Sequence, residues 1–206
     1  MSNKHDSVFR LYNGGYFGGL ALINLSNMEK ALIERSKVKE AEKQKLIDHE
    51  EAEYEKHLIE DTIKDSAVST ILFAGMAAEA YIYDYSARKI GKAITDDHLD
   101  NLKAESKWLI VTQLVTGNTF PKDKIAFCLL KKLIKARNSL VHSKSKHISM
   151  ADLSIEEVSK NRDDLIENSR SAVRALYELG KQIEDLDSNE KSIFLLGVSS
   201  YKPAHE

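Results

Sequence analysis

Helix breakers are scarce in this chain. Its 206 residues include 2 Pro and 9 Gly, and four of the glycines fall between Gly14 and Gly19. The remainder has almost nothing to interrupt a helix, so an all-α fold is expected. Cysteine is scarcer still. Cys128 stands alone, which excludes an internal disulfide framework and a zinc site built from cysteines, and suits a reducing cytoplasm. Long hydrophobic runs are missing too. The longest charge-poor stretch, residues 66–83, has 18 residues with Glu79 as its one acid, and it contains Ser66, Ser69, Thr70 and Gly75. That is the lower length limit for a membrane span and reads as a buried central helix. Asn13, Asn24 and the paired glycines interrupt any signal-peptide core around Leu20 to Leu25. No membrane association is expected, and a cytoplasmic location is.

What is present is a soluble globular composition, 42% hydrophobic and 30% charged, fitting one domain. The net charge of −2 conceals an asymmetry: residues 121–147 hold 8 Lys and Arg against Asp123 alone, a local +7 on a body of −9. Such a basic field points to an anionic partner.

The chain divides into an N-terminal glycine and aromatic arm (1–19), a helical bundle (20–187) and a C-terminal tail (188–206). The arm, with Phe9, Tyr12, Tyr16 and Phe17 around the glycines, is expected to be irregular. It is no phosphate loop, because no Lys-Ser/Thr follows it. A long first helix is expected over residues 21–57, highly charged between Glu34 and Glu55 and so largely solvated. Further helices are expected over about 62–93, 95–115, 121–141 and 156–186. Asp96 and Asp97 suit the third helix start, Pro121 the first position of the fourth, and Ser154 with Glu157 a capping box on the last. These helices would form one antiparallel bundle of four to five helices.

With Ile125 at zero and about 100° per residue, Ile125, Leu129, Leu133, Ala136 and Leu140 form a core stripe. Leu130, Ile134 and Val141 widen it to about half the circumference, enough for a second packing partner. Lys124, Lys131 and Lys135 form a polar strip opposite, at the same angle as His142. Arg137 sits at the apolar margin and needs a partner or an anion. Glu79 needs the converse, and the purely structural reading of both is that they pair, which is compatible with an arginine that also touches phosphate.

The segment Arg137-Asn138-Ser139-Leu140-Val141-His142 closes an apolar helix and precedes a polar loop. Upstream stands Ala77-Ala78-Glu79-Ala80-Tyr81-Ile82-Tyr83, followed by Lys107-Trp108-Leu109 and a turn at Gly117. Together these resemble the HEPN superfamily, whose signature is an Arg, a polar residue often Asn, three variable residues and a His. The resemblance covers residues 62–180. It implies a compact helical bundle that forms a homodimer, and a metal-independent RNA endonuclease site in the dimer cleft, with no cofactor. It also implies a role as a toxin, with an antitoxin or other protein partner, or as an anti-phage effector. Other members of the superfamily are non-catalytic nucleotide- or protein-binding modules. Carried onto this chain, Arg137 and His142 are the catalytic candidates, Asn138 their polar support, and Glu79 the residue that orients the arginine. Where one subgroup has a tyrosine two positions after the His, this chain has Lys144.

The chemistry is consistent with those residue types. RNA cleaves when its 2′-oxygen attacks the adjacent phosphorus and the 5′-oxygen leaves. A histidine titrating near neutrality can move the protons, and an arginine fork can hold two phosphate oxygens. Lys131, Lys135, Lys144 and Lys146 would hold the strand backbone, with tRNA among the candidate substrates. No metal site is expected, since His49 and His57 are eight residues apart and lack the spacing of a zinc helix. On one helix, residues five apart point about 140° away from each other. Fraying after Val141, or a second subunit, would bring the two together.

Overall fold

The computed structural model describes residues 13–142 and 155–191, and among these the chain is all-helical. Six helices follow in order: α1 (Asn13–Lys43), α2 (His49–Lys89), α3 (Lys92–Ile94), α4 (Ala104–Thr116), α5 (Ile125–Val141) and α6 (Ile155–Leu186). A single π-helical turn, Thr95–Leu99, continues α3.

The 41-residue α2 is the axis of the molecule. Ile63, Ala67, Ile71, Ala74, Ala77, Ala78, Ile82 and Tyr85 are all buried along it. It is long and apolar enough to cross a membrane, but 56% of its apolar window is buried in the fold. α1 folds back along α2, with Arg35 reaching Glu60 at 2.8 Å and Phe17 stacking on Phe73. α6 runs parallel to α2, not antiparallel. Arg162 meets Glu60, Asp187 meets Tyr85 and Glu190 meets Arg88, each pair separated by the same 102 residues. A chain of ring contacts then crosses the core, from Tyr81 to Trp108 on α4, to Phe120, to Phe127 on α5.

Several boundaries differ from those expected. The glycine segment is no irregular arm from residue 13 onward, because it forms the first turns of α1. Gly14 and Gly18, four apart, are buried, and a Cβ on Gly14 would stand 3.1–3.2 Å from Tyr81. The absent side chains let the two helices close. Residues 1–12 lie outside the described residues.

The expected first helix over 21–57 is two helices. Lys45 takes a left-handed φ of 57°, and Asp48 then caps α2 by accepting from the Glu51 backbone N–H at 2.9 Å. The charged tract is thus the tip of a hairpin, with Lys56 bonded to both Glu42 and Glu53. The expected third helix is also divided. Asp96 lies in the π-helical turn, accepting from Tyr83 and paired with Lys92. Pro121 precedes α5, whose N-cap is Lys124. Gly117 closes α4 in the left-handed conformation that glycine favours. α6 matches its expected span, while Ser154 of the expected capping box lies outside the described residues.

The segment after α6 is held by charge. Glu190 is 4% exposed and accepts two bonds from Arg88, at 3.0 and 2.6 Å, and one from Tyr81 at 3.3 Å. Asp187 accepts from Tyr85 at 2.9 Å and Lys89 at 2.8 Å. Burial pushes the Tyr81 and Tyr85 hydroxyls up. Burial also pushes the Asp187 carboxyl up, but its bonds from Lys89 and Tyr85 outweigh this and hold it below the usual range.

Removing Glu190 leaves Arg88 and Tyr81 without that carboxylate, so Glu190→Ala should lower stability by about 2 kcal/mol, read as a shift in the urea midpoint. Asp187, with its pKa lowered in the folded state, contributes fully above about pH 4 and progressively less as pH falls through that lowered value. Asp187→Asn should therefore lose less stability than the parent protein between about pH 4 and pH 2 in acid titrations of unfolding.

Candidate functional site

The orientation of α5 decides where its motif residues go. Its buried residues are Ala126, Phe127, Leu129, Leu130, Leu133 and Ile134. On the same ideal wheel they span about 40° to 200°, centred near 120°. The expected core stripe is therefore displaced: Ile125, at 0°, is exposed, while Val141, at about 160°, is exposed as the last residue of the helix. Rotation toward the aromatic chain explains this, since Phe127 packs against Phe120. Arg137 lies at about 120°, in the middle of the buried arc and not at its margin.

That position presses Arg137 onto α2. A Cβ on Gly75 would stand 3.1 Å from Arg137 Cγ and 3.3 Å from its Cβ, so the bare glycine backbone makes room for the arginine stem. One turn further along α2, Glu79 accepts a hydrogen bond from Arg137 Nη2, forming the expected ion pair. The arginine side chain is 20% exposed and the glutamate 40%. Arg137 Nε is buried and has no hydrogen-bond partner.

The pair lies in a cleft of about 500 Å³ between the end of α5 and the start of α4. Asn138 and Ile134 line it on the α5 side, and Leu102, Lys103, Glu105 and Lys107 on the other. Asp100 also lines it and pairs with Lys107 at 2.8 Å. Of the residues from α4 and its lead-in, only Lys107 falls in a stretch that the sequence singled out, and nothing there tied it to Arg137. Only the packing of α4 across α5 brings them to Arg137.

His142 goes elsewhere. It is the C-cap residue of α5, its backbone N–H bonded to the Asn138 carbonyl at 2.9 Å, and it is exposed. Being five residues on, it faces about 140° away from Arg137. Lys131 and Lys135 are exposed on the wheel face that holds His142, not at the cleft. Lys144 and Lys146 lie outside the described residues. One chain therefore presents two surfaces: a mixed-charge cleft around Arg137 and a basic strip leading to His142.

A second polar cluster occupies the hairpin tip. Glu42, His49 and Glu53 bring their ligand atoms within 4.8 Å of one another. The Lys56 ammonium already sits among them, 2.5 Å from Glu42 and 2.8 Å from Glu53. Bonds from Lys56 and His49 lower the Glu42 carboxyl, and Glu42 in turn raises His49. The cluster is an exposed ion network in which lysine fills the cation's role.

The Glu79–Arg137 bond joins two elements and is partly open to water. A double-mutant cycle with Glu79→Gln and Arg137→Gln should give a coupling of about 1 kcal/mol in urea unfolding. Simple additivity of the two substitutions would show that the pair does not hold α5 to α2.

Comparison of the chain with protein-family models, with curated proteins and with solved structures gave no match.

Proposed function

We propose that this chain is a metal-independent RNA endonuclease of the HEPN type, a bundle of four to five principal helices acting as a homodimer in the cytoplasm. The observation that carries the reading is the state of Arg137. The motif arginine is held by a carboxylate at the wall of a solvent cleft, with part of its fork open, as a phosphate-binding group needs to be. The burial of most of the α2 apolar window favours a soluble protein over a membrane one.

In this reading the 2′-oxygen bonds to phosphorus and the bond from phosphorus to the 5′-oxygen breaks. The products are a 2′,3′-cyclic phosphate and a 5′-hydroxyl. Arg137 stabilises the charge on the phosphorane. His142 takes the 2′ proton or delivers one to the departing oxygen. The 140° separation within one chain has to be closed by fraying after Val141 or by a second subunit, and in this reading His142 of the partner subunit closes it. A two-fold axis then gathers both arginines and both histidines into one cleft at the interface. The strip containing Lys131 and Lys135 supplies the strand-binding surface. A nuclease of this kind fits a toxin restrained by an antitoxin, or an anti-phage effector.

The same separation favours a second reading. If the subunits do not pair, Arg137 stays engaged by Glu79 and the chain is a non-catalytic module that binds nucleotide or protein.

Wild type, Arg137→Ala and His142→Ala, incubated with total RNA and with tRNA in EDTA, separate the two. The nuclease reading expects cyclic-phosphate ends from wild type. It expects cleavage at least about 100-fold slower in either variant, with cooperative melting retained, and dimers in sedimentation. Intact RNA over a wide range of enzyme concentration moves the assignment to the binding module. Loss of the fold in both variants makes the pair structural.

A further inference from the structure

The cleft beside Arg137 contains more polar groups than its ion pairs use. Glu79 is bonded to Arg137, and Asp100 to Lys107. Among the described residues, the side chains of Lys103, Glu105 and Asn138 make no hydrogen bond or ion pair. Arg137 Nε is also unpartnered, but it is buried against Gly75, so the guanidinium meets the cleft through its Nη groups. One free cation, one free carboxylate, one amide and an arginine fork thus share a single cavity, with Leu102 and Ile134 as apolar wall. None of the cleft residues on the α4 side belongs to the motif.

This combination distinguishes among ligands. An anion alone would be served by Lys103 and Arg137 but repelled by Glu105. A ligand that carries a phosphate and, separately, an edge of N–H donors uses all of them. A carboxylate is an acceptor only. Among the four bases, guanine presents two adjacent donors, N1–H and the N2 amino group, which one carboxylate accepts as a parallel pair. Adenine and cytosine each offer one amino donor beside an acceptor nitrogen that a carboxylate repels. Uracil flanks its one N–H with two carbonyls. The cleft volume of about 500 Å³ suits a single nucleotide.

We infer that this cleft is a base-reading subsite that takes a guanine nucleotide of an RNA strand. The phosphate lies against Arg137 and Lys103, and the base lies along Leu102 and Ile134 with its donor edge on Glu105. The inference deepens the nuclease reading by naming what its Arg137 cleft selects. Glu105 is the specificity-determining residue and Lys103 a backbone contact.

The test is a binding measurement that needs no cleavage. Fluorescence anisotropy is recorded with the full chain and 2′-O-methyl 12-mers of uridine, either unbroken or carrying one central guanosine, adenosine or cytidine. The guanosine probe should bind about tenfold tighter than the other three, the discrimination of a bidentate base contact. Glu105→Gln replaces one acceptor with a donor, so it should lose that preference and gain affinity for the adenosine probe, whose N1 and N6 match an amide. Lys103→Gln should weaken all four probes alike and lower the salt slope by about 0.7.

Equal wild-type affinity for the four probes overturns the inference, as does a guanosine preference that survives in Glu105→Gln, or no binding to any probe. Because the probes cannot be cut, a guanosine preference alongside intact total RNA would refute the nuclease reading alone. Cleavage without any base preference would refute the base-reading subsite alone.

Discussion

Everything in this molecule is arranged around how closely its helices can approach α2. Ser66, Ala67, Thr70, Ala74, Gly75, Ala77 and Ala78 are all buried, and none carries a side chain larger than threonine. Larger buried residues, Ile63 and Ile71, stand among them, and Tyr81, Ile82 and Tyr85 close the core toward the C-terminal end, where the ring of Trp108 stacks on Tyr81. Close packing of this kind converts small changes of volume directly into helix displacement. The same constraint builds the candidate site. Gly75 allows the Arg137 stem to lie on α2, and Glu79, one turn on, then meets the guanidinium.

Charge sets register more than it sets stability. The constant offset of 102 residues between α2 and α6 is marked by ionic or hydroxyl contacts at both ends, while the apolar burial of Val173, Leu176, Leu179 and Ile183 between them is non-directional. Pairs such as Arg170 with Glu29 are half exposed and contribute little individually. Glu190 is different: nearly inaccessible and bonded to Arg88 and Tyr81, it pins the chain beyond α6 to the end of α2.

Much of the fold was legible because the chain contains so few residues that forbid a helix. The span of α6, the left-handed turn at Gly117 and the buried character of α2 follow from breaker placement and apolar spacing. The reversal at 44–48 was not legible, since Lys45 carries the positive φ without being glycine or asparagine. A continuous charged pattern reads the same whether a helix continues or turns back. The glycine segment misled for the opposite reason. Gly14 and Gly18 weaken an isolated helix, yet both are buried here and Gly14 lies directly against Tyr81 of α2, so packing overrides propensity. At the site, the need of Glu79 and Arg137 for each other could be read from two lone charges in apolar surroundings. Lys103 and Glu105 could not, because their only connection to Arg137 is through space.

The all-helical class, the central place of α2, and an arginine that must find a partner beside a strongly basic segment were all readable along the chain. Those properties follow from local composition and periodicity, which act within a few residues. Which way α5 turns about its axis was settled by packing. That rotation, driven by the fit of Phe127 against the aromatic chain, put Arg137 in the middle of the buried face and left His142 and the lysine strip on the outside. An angle about the helix axis is set by the neighbouring helices. No pattern confined to one helix contains it.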